Sequence, residues 1–247
     1  MKIEISKTIP LDDLEGGGTV LAEPFAKFIC RPYRKKYFRL MNCFPESGKN
    51  PQYDRAFPRL LDWCCGAGFL GFRMLEEGIC EELCMVDINP RAIESVQNTI
   101  TENRLARRVT CYAGENLRVI PPNEKFDLVV ANPPGFYAIN TQHPLGAVIP
   151  KDQRSVDEGW AARRGFYRGI REYLNPGALV LISEVQPYVA TVRVPWFLPI
   201  AYDRRPQAPI NEFHDMIVRG GLSFVGTERY CRRYGFEFWM VISRYDK

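Results

Sequence analysis

The sequence predicts an α/β fold: a Rossmann-like, doubly wound and mostly parallel sheet with a C-terminal antiparallel hairpin and an N-terminal helical segment. Three observations carry this expectation. From about residue 58, short apolar runs alternate with amphipathic ones. The first runs are apolar throughout rather than every second residue, as strands covered on both faces are. The last two runs, LSFVGTERYC and FEFWMVIS, lie close together and read as a hairpin.

Taken in order, FPRLLDWCC is a strand running into the turn Gly66-Ala67-Gly68, and FLGFRMLEEG is a helix stopped at Gly78. ELCMVDI is a second strand. Asn89 follows as a helix N-cap with Pro90 at the first helical position, where a missing N–H costs nothing. Ile93, Val96 and Ile100 then form one apolar stripe. RVTCYAG and FDLVVA are the third and fourth strands. A helix is expected from Glu158 to Leu174, a turn at Asn175-Pro176-Gly177, a strand at ALVLISEV and a helix near Ile210 to Arg219. The expected organisation is an N-terminal segment, 1–56, lying on the substrate side as a lid, and one domain over 57–247.

Composition narrows the function classes. A hydrophobic share of 46% with 25% charged residues fits a globular chain, and the net charge of +4 permits an anionic partner without demanding one. No apolar run has the length of a membrane span, and the N-terminus carries acids and glycines where a signal peptide is apolar, so no membrane is expected and a cytoplasmic location is. The eight cysteines form no CxxC pair. Buried, reduced thiols are expected, with neither a zinc site nor a disulfide framework, and no metal.

Gly66 and Gly68 end the first strand, where a residue without Cβ lets a ligand approach the backbone. Asp87 ends the second strand 19 residues after Gly68, close to the spacing at which an acid grips ribose hydroxyls. The turn lacks the Lys-Ser/Thr of a phosphate loop. Glycines plus an acid also suit a nicotinamide dinucleotide, but the remainder of the chain carries no hydride-transfer pattern. Taken together, LLDWCCGAG, MVDINPRAI, YAGENL and FDLVVANPPG resemble the successive signatures of class I S-adenosylmethionine-dependent methyltransferases. The resemblance implies S-adenosylmethionine as cofactor. It assigns Asp62, Cys64, Gly66 and Gly68 to its amino-acid end, Asp87 to the ribose, Ile88 to the adenine face, and Glu115 and Asn116 to the adenine edge. Cys64 stands where the commonest pattern has its first glycine.

FDLVVANPPGFY ends a strand with two prolines, neither of which can donate a backbone hydrogen bond. Such a loop is either a plain turn or a stiff shelf of acceptors. At the end of the fourth strand, after the glycine turn, the shelf is the stronger reading. The Asn132 side chain, which also borders the cofactor, and the Pro133 carbonyl would hold the N–H hydrogens of a planar nitrogen, with Pro134 keeping the backbone rigid. Asn-Pro-Pro resembles the amino-methyltransferase motif, in the branch of the release-factor glutamine methyltransferases. Gly135 replaces that motif's aromatic, leaving Phe136 or Tyr137 to stack on the target and Tyr137 beside the reacting nitrogen.

The acceptor is expected to be a nitrogen of an amide, guanidine or amine on a small amino-acid-like metabolite or a protein side chain. Glu184, Trp196, Asp157 and Glu158 are candidates to hold it. A base amine of RNA or DNA is the alternative, supported by Cys64 and by RPYRKKYFRLM, whose five cations are interleaved with Tyr33, Tyr37 and Phe38. A non-catalytic binding partner is the rival of another class. QPYVATVRVPWFLPIAYDRRPQAPI, with Trp196, Phe197 and Tyr202, reads as a lid or a satellite core. His143 and His214, the two histidines, read as surface residues.

Overall fold

A computed structural model of the chain describes residues 2–6, 8, 56–135, 138–139, 156–187, 202–203, 210–233 and 236–247. The strands are β1 (Phe57–Trp63), β2 (Cys80–Asp87), β3 (Val109–Ala113), β4 (Phe126–Ala131), β5 (Ala138–Ile139), β6 (Leu174–Pro187), β7 (Tyr202–Asp203), β8 (Ser223–Arg233) and β9 (Phe236–Arg244). The α-helices are α1 (Phe69–Glu76), α2 (Pro90–Glu102), α3 (Ala161–Gly169) and α4 (Ile210–Arg219). Seven strands form one sheet in the order β3-β2-β1-β4-β6-β9-β8. The first five of these are parallel to one another, and β9 and β8 are added antiparallel.

Each face of the sheet is covered by a pair of helices. Leu60, Leu83 and Leu128 point to the side of α1 and α2, where Phe72, Met74, Ile93, Val96 and Ile100 are buried. Leu61, Trp63 and Val129 point to the side of α3 and α4, against Phe166, Tyr167, Phe213 and Ile217. Trp63 stacks on Phe166 with ring centroids 4.3 Å apart. The helical period of α2 thus finds its core, and Asn89 caps that helix by accepting from the Arg91 N–H at 3.0 Å.

Three local expectations give way to tertiary constraints. Helix α3 starts at Ala161 rather than Glu158, because Gly159 and Trp160 both take left-handed angles (φ 60° and 58°) and residues 158–160 make only a 3-10 turn. A second 3-10 turn, Ile170–Tyr173, closes it. Asn175-Pro176-Gly177 does not separate helix from strand. Leu174 already pairs with Phe126 and Leu179 with Leu128, so residues 175–178 form a bulge opposite Asp127, anchored by the Gly177 N–H on the Tyr245 carbonyl at 2.7 Å.

The described start of segment 1–56 packs on the carboxyl ends of α1 and α2. The Asn103 side-chain amide brackets the Glu4 backbone, accepting its N–H at 3.1 Å and donating to its carbonyl at 2.8 Å, while Ile3 N–H donates to Glu76 and Ser6 N–H to Thr99. Glu76 and Glu102 are the last residues of α1 and α2, so these contacts lie at the amino-terminal edge of the parallel strands. Residues 9–55, with RPYRKKYFRLM, lie outside the described residues.

Candidate functional site

The strand order turns around between β1 and β4, the place where ligands bind beyond the carboxyl ends of a doubly wound sheet. Register makes this concrete. Trp63 pairs with Val86 on one side and with Ala131 on the other, and Ala131 pairs with Ile182. The next residues along these strands are therefore Asp87, Cys64, Asn132 and Ser183, in one row at the sheet's edge.

Asp87 holds the first turn together. Its Oδ2 accepts the Gly66 N–H at 2.8 Å and its Oδ1 the Asn89 N–H at 2.9 Å. Burial nevertheless raises its pKa, with those N–H groups opposing the shift. Asp62 is 1% exposed; its Oδ2 accepts the Gly71 N–H at 2.8 Å, and its Oδ1 is buried without a partner. Burial pushes its carboxyl up to about 8, helped by the charge of Asp87 and opposed by the Gly71 N–H. Gly68 takes φ 83°, and a Cβ there would meet the Phe72 ring at 2.7 Å, so no other residue closes the turn as tightly. Cys64 adopts a left-handed φ of 60° without being glycine. Ile88, just past the strand, is 70% exposed. Beyond β3, Glu115 is exposed, while Asn116 takes φ 57°, donates its amide to the Ala162 carbonyl at 3.0 Å and keeps a buried, unpartnered Oδ1.

Asn132 and Pro134 are half-buried and Pro133 is buried. The Pro134 carbonyl accepts from Arg163 Nη1 at 2.7 Å. Arg163 is fully buried on α3 and reaches Glu184 with both Nε (2.7 Å) and Nη2 (2.8 Å), and Asp157 with Nη1 (2.9 Å). Burial works against its charge, but the two carboxylates outweigh it and hold the guanidinium above its ordinary pKa. Burial raises the Glu184 carboxyl, opposed by Arg163. Asp157 also accepts the Ala162 and Arg163 N–H groups (2.8 and 3.1 Å), so it caps α3 from outside the helix.

Residues 40–148 match the methyltransferase small domain family. The ribosomal RNA small subunit methyltransferase C of Haemophilus ducreyi is 33% identical over 111 residues, 44% of this chain and 32% of that protein. Its counterpart in Actinobacillus pleuropneumoniae is 37% identical over 90 residues, 36% of this chain and 26% of the relative. The chain therefore spans about a third or less of the length of these curated relatives. Among solved structures, the cyclase SpnF superposes with a TM-score of 0.53 at 14% identity, covering 78% of this chain and 76% of the other. The Bacillus subtilis tRNA methyltransferase TrmK does so with 0.51 at 9% identity, covering 83% and 64%. Over residues 40–148 the chain is similar to methyltransferases, and its fold is the Rossmann-like one of its structural neighbours. A cyclase among the neighbours is a reminder that the methyltransferase fold by itself does not fix a reaction.

Of the methyltransferase residues expected from sequence, Asp62, Cys64, Gly66, Gly68, Asp87 and Ile88 share the β1 and β2 ends, and Asn132, Pro133 and Pro134 stand beside them on β4. Glu184 is a correction. It is 3% exposed and saturated by Arg163, so it holds the protein rather than an acceptor. Asp157 is likewise consumed within the fold, and Glu158 is exposed in the 3-10 turn. His214 is half-exposed on α4, edge-on to Phe224. Phe136, Tyr137, His143, Trp196 and Phe197 lie outside the described residues. The pairing of β5 with β7 brings Ala138 opposite Asp203 and Ile139 opposite Tyr202, joining the chain after the shelf to the end of the aromatic-rich connection. Arg163 was missed. The available signal was Glu184 itself: a carboxylate inside the apolar run ALVLISEV needs a cation, and the preceding helix offers one.

Among the described residues no group of His, Cys, Asp and Glu is arranged to hold a metal ion, and no helix is long and apolar enough to cross a membrane. Cys64, Cys65, Cys80, Cys84 and Cys111 are free thiols.

Proposed function

We propose that the chain transfers a methyl group from S-adenosylmethionine to an amino nitrogen of an RNA base. The observation that carries this reading is the adjacency of Asp62, Asp87 and the glycine turn to the Asn132-Pro133-Pro134 shelf, one residue past the paired Trp63 and Ala131. RNA as the acceptor is supported by the names of the relatives that match this region.

The residues present fit the cofactor. Asp62 Oδ1 is a buried carboxylate oxygen with no partner, which a cationic amino group would satisfy. Asp87 borders the same turn for the ribose hydroxyls, and Ile88 offers an unsupported apolar surface to a flat base. The unpartnered Asn116 Oδ1 and the exposed Glu115 border the expected adenine edge. When bound, S-adenosylmethionine supplies an electrophilic methyl on a sulfonium.

The chain's own part is orientation. In a base amine the nitrogen lone pair is delocalised into the ring plane. The Asn132 side-chain oxygen and the Pro133 carbonyl accept its two N–H hydrogens and turn the lone pair out of that plane. Proline fixes φ, so this alignment costs little further ordering. Neither amide oxygen is basic enough to retain a proton, so the proton released by the methylated nitrogen passes to water. Catalysis by position and dipole needs no strong base. A small amino-acid-like acceptor remains the second reading, favoured by Gly135, which leaves space where an aromatic stands in the motif.

The test incubates the full chain with methyl-tritiated cofactor and, separately, ribosomal RNA, soluble protein and amino-acid metabolites. Label released from RNA by nuclease is expected. Asn132→Ala should lower transfer about 100-fold while S-adenosylhomocysteine affinity stays within about threefold of wild type. Label in the metabolite pool would replace RNA with the second reading. Cofactor binding with no transfer to any pool would make the chain a binding protein, and binding of a nicotinamide dinucleotide alone would overturn the cofactor.

A further inference from the structure

We infer that Arg163 is a positioning residue for the acceptor shelf, setting the loop after β4 through the Pro134 carbonyl. The inference rests on the reading that Asn132 and Pro133 hold the acceptor.

Two consecutive prolines remove two backbone donors from the loop after β4. Pro133 and Pro134 have no N–H, so this stretch of loop cannot be tied down by its own donors, and its carbonyls are the groups left to grip. Arg163 Nη1 grips one of them at 2.7 Å. Because the ring of Pro134 fixes φ between the two carbonyls, holding the second restricts where the first can point.

The guanidinium is itself held on every side. Glu184, on β6, takes Nε and Nη2 as a two-point fork, and Asp157 takes Nη1 at 2.9 Å. Trp160 and Phe213 lie 4.7 and 5.2 Å from its central carbon. The group therefore links the end of β4, the end of β6 and the start of α3 through one rigid fork.

Stability alone is a poor reason to keep such a cluster. Two carboxylates against one guanidinium leave a net negative charge in a buried place, and an apolar replacement of similar volume is often as stable or more so. A device that fixes the placement of one carbonyl is a better reason.

Arg163→Lys keeps the charge but presents one nitrogen where the fork presents three, so it cannot hold Glu184 at two points and still reach Asp157 and Pro134. Glu184→Gln loosens the same fork from the other side and serves if the lysine variant folds poorly. The readout that needs no acceptor is nuclear magnetic resonance of the isotope-labelled chain, following the Gly135 amide, whose peptide unit contains the Pro134 carbonyl. In both variants that resonance should move and its amide should exchange about tenfold faster or more. S-adenosylhomocysteine affinity should stay within about threefold. With the acceptor pool that wild type labels, kcat should fall about tenfold or more at unchanged KM for the cofactor. A folded variant with the Gly135 resonance in place overturns the inference. So does a parallel loss of cofactor affinity, which would make Arg163 a support for the whole edge. If wild type labels no pool, the transfer reading fails and the Gly135 resonance still decides the role of Arg163.

Discussion

Replacing Asp62 with asparagine should make the free protein more stable and its cofactor binding worse. Asp62 is buried, one of its oxygens is occupied by the Gly71 N–H, and the other has no partner. Its carboxyl is pushed from 3.8 up to about 8 by burial, with Asp87 adding to the rise. Across that window the folded chain keeps a proton that the unfolded chain has released, so stability falls as pH rises from about 4 to about 8. Each unit is worth about 1.4 kcal/mol, so by neutral pH the penalty reaches at most about 4 kcal/mol. Asparagine has the same shape, retains an oxygen for the Gly71 N–H and does not titrate. Thermal melts at acid and neutral pH should show the two proteins alike near pH 4. Near pH 7 Asp62→Asn should lie higher, by as much as about 10 °C for a chain of this size. S-adenosylhomocysteine, whose ammonium would pair with the carboxylate, should flatten the pH slope of wild type and bind Asp62→Asn about tenfold or more weakly. Equal melting temperatures at neutral pH, or undiminished affinity in the variant, would refute the assignment of the free oxygen to a cation.

Two further outcomes follow from packing. Gly68→Ala forces a left-handed residue and drives a methyl to 2.7 Å from the Phe72 ring, so calorimetry should show weakened cofactor binding and a stability loss of about 1–3 kcal/mol. Phe166→Ala removes a fully buried ring stacked on Trp63 and should cost about 3–5 kcal/mol by denaturant titration, while Gly66 and Asp87 at the turn keep their contact.

What could be read from the sequence was set by short-range chemistry. Asn89-Pro90 announces a helix start because the cap and the missing N–H act within three residues. The Ile93, Val96 and Ile100 stripe and the β1 to β4 runs follow from one periodicity each, and together they order the carboxyl ends of the strands. The nearness of Asp87, Cys64 and Asn132 was legible for the same reason: each is the residue that ends an apolar run. Arg163 was not, because its partners at 134, 157 and 184 are chosen by tertiary packing, and a buried arginine in AARRGFYRG reads like its solvated neighbours. The start of α3 was misplaced because Trp160 takes an angle its own chemistry disfavours, and Asp157 caps the helix from beyond that kink.

The carboxylates around the sheet edge also act as a filter. Asp157 and Glu184, both almost fully shielded from water, share one guanidinium, and Asp87 adds a further carboxylate at the end of β2, so the carboxylates outnumber the cation. Shielded charges interact over longer distances than solvated ones, so the mouth between β1 and β4 repels anions and draws in groups that are neutral or cationic. For a polynucleotide this divides the molecule in two. If RNA is the acceptor, as proposed, the phosphodiester would be turned away while an uncharged base could enter, so a nucleotide held in a duplex would have to swing its base out of the stack to be reached. Unpaired or already everted positions would then be preferred by electrostatics, before any contact to a base edge is made.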